Sequence, residues 1–160
     1  RVLEAKRLPR ARVWGVCDPF CVLECEGMPR KTDVCYSTQN PSWDQEVEFT
    51  IQSLYSRLRV QVLDRHAALG REFLGVCGFC VGDMLRRALV GARAHTHTQE
   101  PEPVLLSWFM LSGKHGSAQA GALKLCLRFS ADAVRTHTFL PPTDPHLASV
   151  SQVCPEILLC

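Results

Sequence analysis

Leu58-Arg-Val-Gln-Val-Leu-Asp-Arg-His-Ala-Ala-Leu-Gly-Arg-Glu-Phe-Leu-Gly75 is the stretch whose reading decides the fold. Leu58, Val60 and Val62 alternate with Arg59 and Gln61. That period of two marks a strand with one face buried. Asp64 closes the strand, an irregular polar loop follows, and Glu72-Phe73-Leu74-Gly75 restarts an apolar run. A carboxylate stands at each end of the loop, so the two can face a common point.

The same alternation recurs on both sides. Strands are expected at Val2 to Ala5, Phe20 to Cys25, Lys31 to Tyr36, Glu46 to Ile51, Gly75 to Val81, Val104 to Leu111 and Ala122 to Phe129. Asp18-Pro19, Gly27-Met-Pro29 and Asn40-Pro41-Ser42 supply the turns between them. One short helix is predicted over Met84 to Val90, capped by Asp83, stopped at Gly91, with Leu85 and Leu89 on its apolar face. Ala92 to Pro103 reads as a long polar loop. Roughly eight short strands with one helix in a loop predict an all-β fold, an eight-stranded antiparallel β-sandwich of Greek-key type.

A chain of 160 residues fits one domain with a tail. Its 46% hydrophobic and 21% charged residues fit a globular core rather than disorder. The sandwich is expected over residues 1–129. It starts in mid-pattern at Arg1, as a truncated first strand would. Residues 130–160, broken by Pro141-Pro142, Asp144-Pro145 and Cys154-Pro155, read as linker or disordered tail. No run reaches the ~18 apolar residues of a spanning helix.

Nine cysteines do not read as a disulfide framework. Cys21 and Cys25 share a strand face but lie roughly 13 Å apart, too far to bridge. Cys77 and Cys80 fall on opposite faces of their strand. Buried, reduced thiols are therefore expected, with a cytoplasmic location. An enzyme is not expected, because nucleophile elbow, Gly-rich phosphate loop and metalloprotease motif are all missing from the sequence. Nucleic-acid binding is not expected either, since no basic stripe interleaves with aromatics.

Asp18-Pro19-Phe20, Asn40-Pro41-Ser42-Trp43-Asp44 and Asp64…Glu72-Phe73-Leu74-Gly75, in this order and spacing, resemble the calcium- and phospholipid-binding C2 domain, with a synaptotagmin-like strand order. Val2-Leu-Glu-Ala-Lys-Arg-Leu-Pro9 and Trp108-Phe109-x-Leu111 also fit. The resemblance implies a membrane-docking module, peripheral at membranes, of the kind found in vesicle trafficking and lipid signalling. It makes Trp43 a packing residue.

Of the five acidic positions of the family's calcium site, Asp18, Asp64 and Glu72 match, while Arg12 and His66 replace the other two. Calcium seeks six to eight oxygen ligands, and a guanidinium among carboxylates repels it. The resemblance therefore implies a degenerate metal site with weak or no Ca2+ dependence, Arg12 pairing with Asp18 or Asp64. The loops carry a basic rim with apolar tips: Arg10, Arg12, Val13 and Trp14 in the first, Arg65, His66, Leu69 and Arg71 in the third. Tryptophan favours the membrane–water boundary. The expected partner is an anionic phospholipid membrane, and the alternative is a protein–protein interaction module that has lost calcium binding.

Overall fold

The computed structural model describes residues 1–9, 17–66, 70–93, 103–114 and 118–130. Eight strands and one helix follow in order: β1 (Val2–Lys6), β2 (Pro19–Cys25), β3 (Met28–Lys31), β4 (Ser42–Gln45), β5 (Arg57–His66), β6 (Gly70–Cys80), α1 (Val81–Arg93), β7 (Val104–Ser112) and β8 (Ala118–Arg128). They form one antiparallel sheet in the order β3-β2-β5-β6-β7-β8-β1-β4. The expected eight-stranded sandwich is therefore present, built by curling.

The curl has a local cause. β6 and β7 share a single register pair, Val76 with Ser112, so the sheet is nearly cut there. The halves β3-β2-β5-β6 and β7-β8-β1-β4 close on one core that includes Cys21, Leu23, Val60, Val62 and Leu74 from the first and Val2, Leu111, Leu123 and Leu125 from the second. Gly75 sits at the bend. A Cβ there would come within 3.0 Å of the side chains of Leu111 and Ala120, so the bare backbone lets the halves approach. Trp43 ties them from the other side: it is buried, and its Nε1–H donates to the Pro19 carbonyl at 3.3 Å.

Two expected strands differ. Lys31 to Tyr36 is not a strand; the ladder to β2 stops at Lys31. Beyond it the Thr32 hydroxyl takes the Cys21 N–H at 2.9 Å, and Asp33 N–H goes to the Gln45 side chain. Within this segment backbone bonds persist only from Thr32 N–H to the Cys21 carbonyl and from Cys35 N–H to the Pro19 carbonyl, so side chains replace part of the ladder. Glu46 to Ile51 also lies outside any strand, because β4 ends at Gln45, opposite Val2 at the start of β1. The alternation there still sorts the faces: Val47, Phe49 and Ile51 pack against the core while Glu46, Glu48 and Thr50 stay exposed.

The helix is longer than expected. It starts at Val81, which puts Asp83 in the first turn, 3.5 Å from Arg86, rather than at the cap. It also runs past Gly91 to Arg93. Its buried stripe is Val81, Met84 and Ala88, an i, i+3, i+7 row, and Leu89 faces out.

Candidate functional site

β5 points Leu58, Val60 and Val62 into the core, and the next inward position is Asp64. The core row therefore ends in a carboxylate, 0% exposed, at the rim of the sandwich. Pro19 at the start of β2 is its ladder partner, so the adjoining Asp18 is fixed beside it. The Asp18 N–H donates to Asp64 Oδ1 at 2.6 Å, and the Asp18 carbonyl accepts the Arg65 N–H at 2.9 Å. Asp18 Oδ1 in turn accepts the Ser37 N–H at 2.8 Å.

Glu72 reaches this rim through a β-bulge. Val62 pairs with Gly75 but Leu63 pairs with Phe73, leaving Leu74 as an extra residue. The register shift brings Glu72 opposite Asp64. Without it, Phe73 would occupy that place. Glu72 Oε1 lies 3.0 Å from Lys114 Nζ on the β7–β8 connection.

Three connections meet at this end. Leu8 N–H donates to the Gln39 carbonyl, Arg7 N–H to Asn40 Oδ1, and Thr38 N–H to the Cys17 carbonyl. Residues 38–40 thus hold both described ends of the β1–β2 connection. Arg65 Nη1 donates to the Tyr36 hydroxyl at 3.3 Å, linking the β5–β6 connection to the same group. The Asn40-Pro41 signal has its explanation here, since Asn40 caps Arg7, whose φ is 56°, and the Pro41 carbonyl accepts Ala5 N–H.

On the opposite face of the β5–β6 ladder, Arg65 and Arg71 are direct cross-strand partners, both exposed. Like charges placed so repel. Their described contacts are aromatic: Tyr36 for Arg65, and the Phe20 ring, 5.7 Å from the guanidinium, for Arg71. His66 ends β5; its side chain lies outside the described residues, as do Arg10, Arg12, Val13, Trp14 and Leu69.

A calcium ion needs several carboxylate oxygens free to converge. Asp18 and Asp64 each commit an oxygen to a backbone N–H, and Glu72 turns to Lys114. Among the described residues no group of three or more His, Cys, Asp or Glu side chains is arranged to hold a metal. These carboxylates do not fit the ion as they stand. Lys114, Tyr36 and Ser37 were not legible as parts of this rim; Lys114 and Ser37 lie in connections with no motif signal, and Tyr36 closes a segment that reads as a strand.

Cys21, Cys25, Cys35, Cys77, Cys80 and Cys126 are free thiols. Burial pushes the Cys21 thiol well up and the Cys77 thiol to about 12, which keeps both protonated and unreactive.

A family model described as C2 domain matches residues 1–98. The chain belongs to the C2 domain family. Over 75 residues it is 36% identical to Multiple C2 and transmembrane domain-containing protein 1 of Rattus norvegicus, a match covering 47% of this chain and 8% of the relative. Over 134 residues it is 26% identical to Multiple C2 domain and transmembrane region protein 5 of Arabidopsis thaliana, covering 83% of this chain and 16% of the relative. The chain thus spans a small part of the curated relatives it matches.

Among solved structures, a C2 domain of plant extended synaptotagmin 1 superposes with a TM-score of 0.61 at 20% identity, covering 81% of this chain and 92% of that one. Calcium-bound extended synaptotagmin 2 gives 0.60 at 16% identity, covering 79% and 42%. Human GIVD cytosolic phospholipase A2 gives 0.59 at 22%, covering 81% of this chain and 16% of the enzyme. At these identities the likeness is one of fold. No described helix is long and apolar enough to cross a membrane.

Proposed function

We propose that this chain is a non-catalytic membrane-docking module whose loop end binds anionic phospholipid without requiring calcium. In this reading residues 1–129 form the working domain and residues 130–160 a linker or tail. The module acts at the cytoplasmic surface of a membrane. The observation that carries the proposal is the Arg65–Arg71 cross-strand pair. The two arginines are direct cross-strand neighbours whose described side-chain partners, Tyr36 and Phe20, carry no charge, so their like charges are free to meet an anion. Each such cation near an anionic surface adds about 1 kcal/mol.

The committed state of Asp18, Asp64 and Glu72 supports calcium independence, because the rim's carboxylates already have donors or a cation. Arg10 and Arg12 add basic charge to the sequence of the first connection, and Val13, Trp14, Leu69 and His66 belong to the same proposed lipid contact. Arg12 pairing with Asp18 or Asp64 belongs to the same proposal. Co-sedimentation with phosphatidylserine vesicles tests it. The wild type is expected to pellet, and Arg65→Glu with Arg71→Glu to stay in solution. Equal pelleting of both would remove the arginine pair from the account. Failure of the wild type to bind any vesicle would favour a protein partner.

A further inference from the structure

β7 has large apolar side chains on both faces. Inward, Leu105, Phe109 and Leu111 pack in the core, Phe109 stacking on Phe79 at 4.8 Å. Outward, Val104, Leu106, Trp108 and Met110 are 45%, 58%, 39% and 66% exposed. A solvated face of an antiparallel strand ordinarily carries polar residues. The neighbouring β8 is mixed on this face, with Lys124 and Arg128 opposite Trp108 and Val104 but Ala122 and Cys126 opposite Met110 and Leu106. The exposed row covers six strand steps, roughly 20 Å.

The row's surroundings indicate what it meets. Lys6 Nζ lies 4.6 Å and Lys124 Nζ 5.6 Å from the Trp108 ring centre, so two ammonium groups border the row at its middle. Lys124 is paired with Glu4 at 3.2 Å, and Arg128 stands 3.9 Å from Glu46. Among the described residues Lys6 has no acidic partner. The row also has a direction. Met110 is opposite Ala122, which is opposite Lys6, and β7 then leads through Ser112 to Lys114 at the Glu72 rim. The apolar strip therefore begins at the loop end and runs down the side of the domain.

We infer that the outer face of β7 is a second lipid-contacting surface, and that the domain binds an anionic bilayer lying on this side with its loop end also engaged. The inference rests on the lipid reading above and adds to it a surface and an orientation. A strip of Val, Leu, Trp and Met enters the boundary region, where tryptophan is favoured, while lysine stems lie along it and carry their ammonium groups to phosphate. A protein hot spot takes a different form, an anchor enclosed in a packed pocket. This strip is one strand wide and bordered by charge.

Two measurements on the full chain with phosphatidylserine/phosphatidylcholine vesicles test the inference. Leu106→Asp with Met110→Asp is expected to weaken partitioning about tenfold or more, because aspartate is strongly disfavoured in the apolar layer. Both side chains are exposed, so the thermal midpoint should hold. In a Trp14→Phe background, Trp108 fluorescence should be quenched by brominated lipid while buried Trp43 is not; adding Trp108→Phe should abolish the quenching. Unchanged partitioning of the aspartate variant together with unquenched Trp108 would overturn the inference and leave the loop-end reading standing. Wild-type protein that binds no vesicle would overturn both.

Discussion

Asp64 on β5 and Glu72 on β6 stand directly opposite each other, two carboxylates paired across one ladder. Such a pair is destabilising unless something neutralises it. Here the Asp18 N–H serves Asp64 Oδ1 and Lys114 serves Glu72. Lys114→Met should therefore lower stability by about 0.5 kcal/mol, the scale of an exposed ion pair, and adding Glu72→Gln should restore it. Urea denaturation of the two variants checks this. A double variant no more stable than Lys114→Met would show that the opposed carboxylates are not the cause.

Asp64 is the buried end of an otherwise apolar row, and it organises the rim through its bond to Asp18. Asp64→Ala leaves the Asp18 N–H without that acceptor and should cost about 2 kcal/mol. Asp64→Asn retains an oxygen at the same place and should cost clearly less. Equal losses in denaturant titrations would mean that charge, not the acceptor, holds the connection.

Gly121 lies on β8 with a φ of 91°, and a Cβ there would collide with the Lys6 carbonyl oxygen and come within 2.7 Å of that of Arg7. Gly121→Ala combines a strained backbone with a backbone clash. It should destabilise the fold by about 2 kcal/mol or more, visible as a fall in thermal midpoint. Gly91→Ala, in a helix with open space around the position, should instead be neutral or stabilising.

The buried thiols give a pH dependence at the alkaline end. Cys77 holds its proton to about 12 in the fold, against 9.0 as the ordinary value. Its contribution to stability is complete below pH 9 and is lost as pH rises toward 12, because the unfolded chain releases the proton first. Cys77 alone should add at most about 1.4 kcal/mol per pH unit to the slope in that window. Cys77→Ala should flatten it, and an unchanged slope would assign the alkaline loss to other groups.

The sandwich was readable because its strongest signals are local. The period of two at Leu58 to Val62 and at Leu123 to Leu127 assigns faces, and Asp-Pro, Asn-Pro and Gly mark turns. The reading faltered where side chains replaced part of the ladder, at Thr32 and Asp33, and where β4 stopped while Val47, Phe49 and Ile51 still alternated in burial. Asp64 was legible as the end of the inward-facing row, but not as the end of the strand, because β5 and its ladder run on to His66. Its relation to Glu72 was less legible, because one bulged residue, Leu74, decides whether a carboxylate or Phe73 faces it. Lys114 and the exposed row on β7 depend on contacts between distant segments, and a run such as Val104 to Leu111 reads as apolar without revealing which half is covered.

The central claim is that the loop end meets an anionic bilayer with no calcium ion in the carboxylate rim. The most direct test is partitioning of the full chain onto phosphatidylserine vesicles, measured side by side in millimolar calcium and in chelator. The account predicts the same partition coefficient in both, falling in parallel as salt is raised. Binding that appears only with calcium would contradict it.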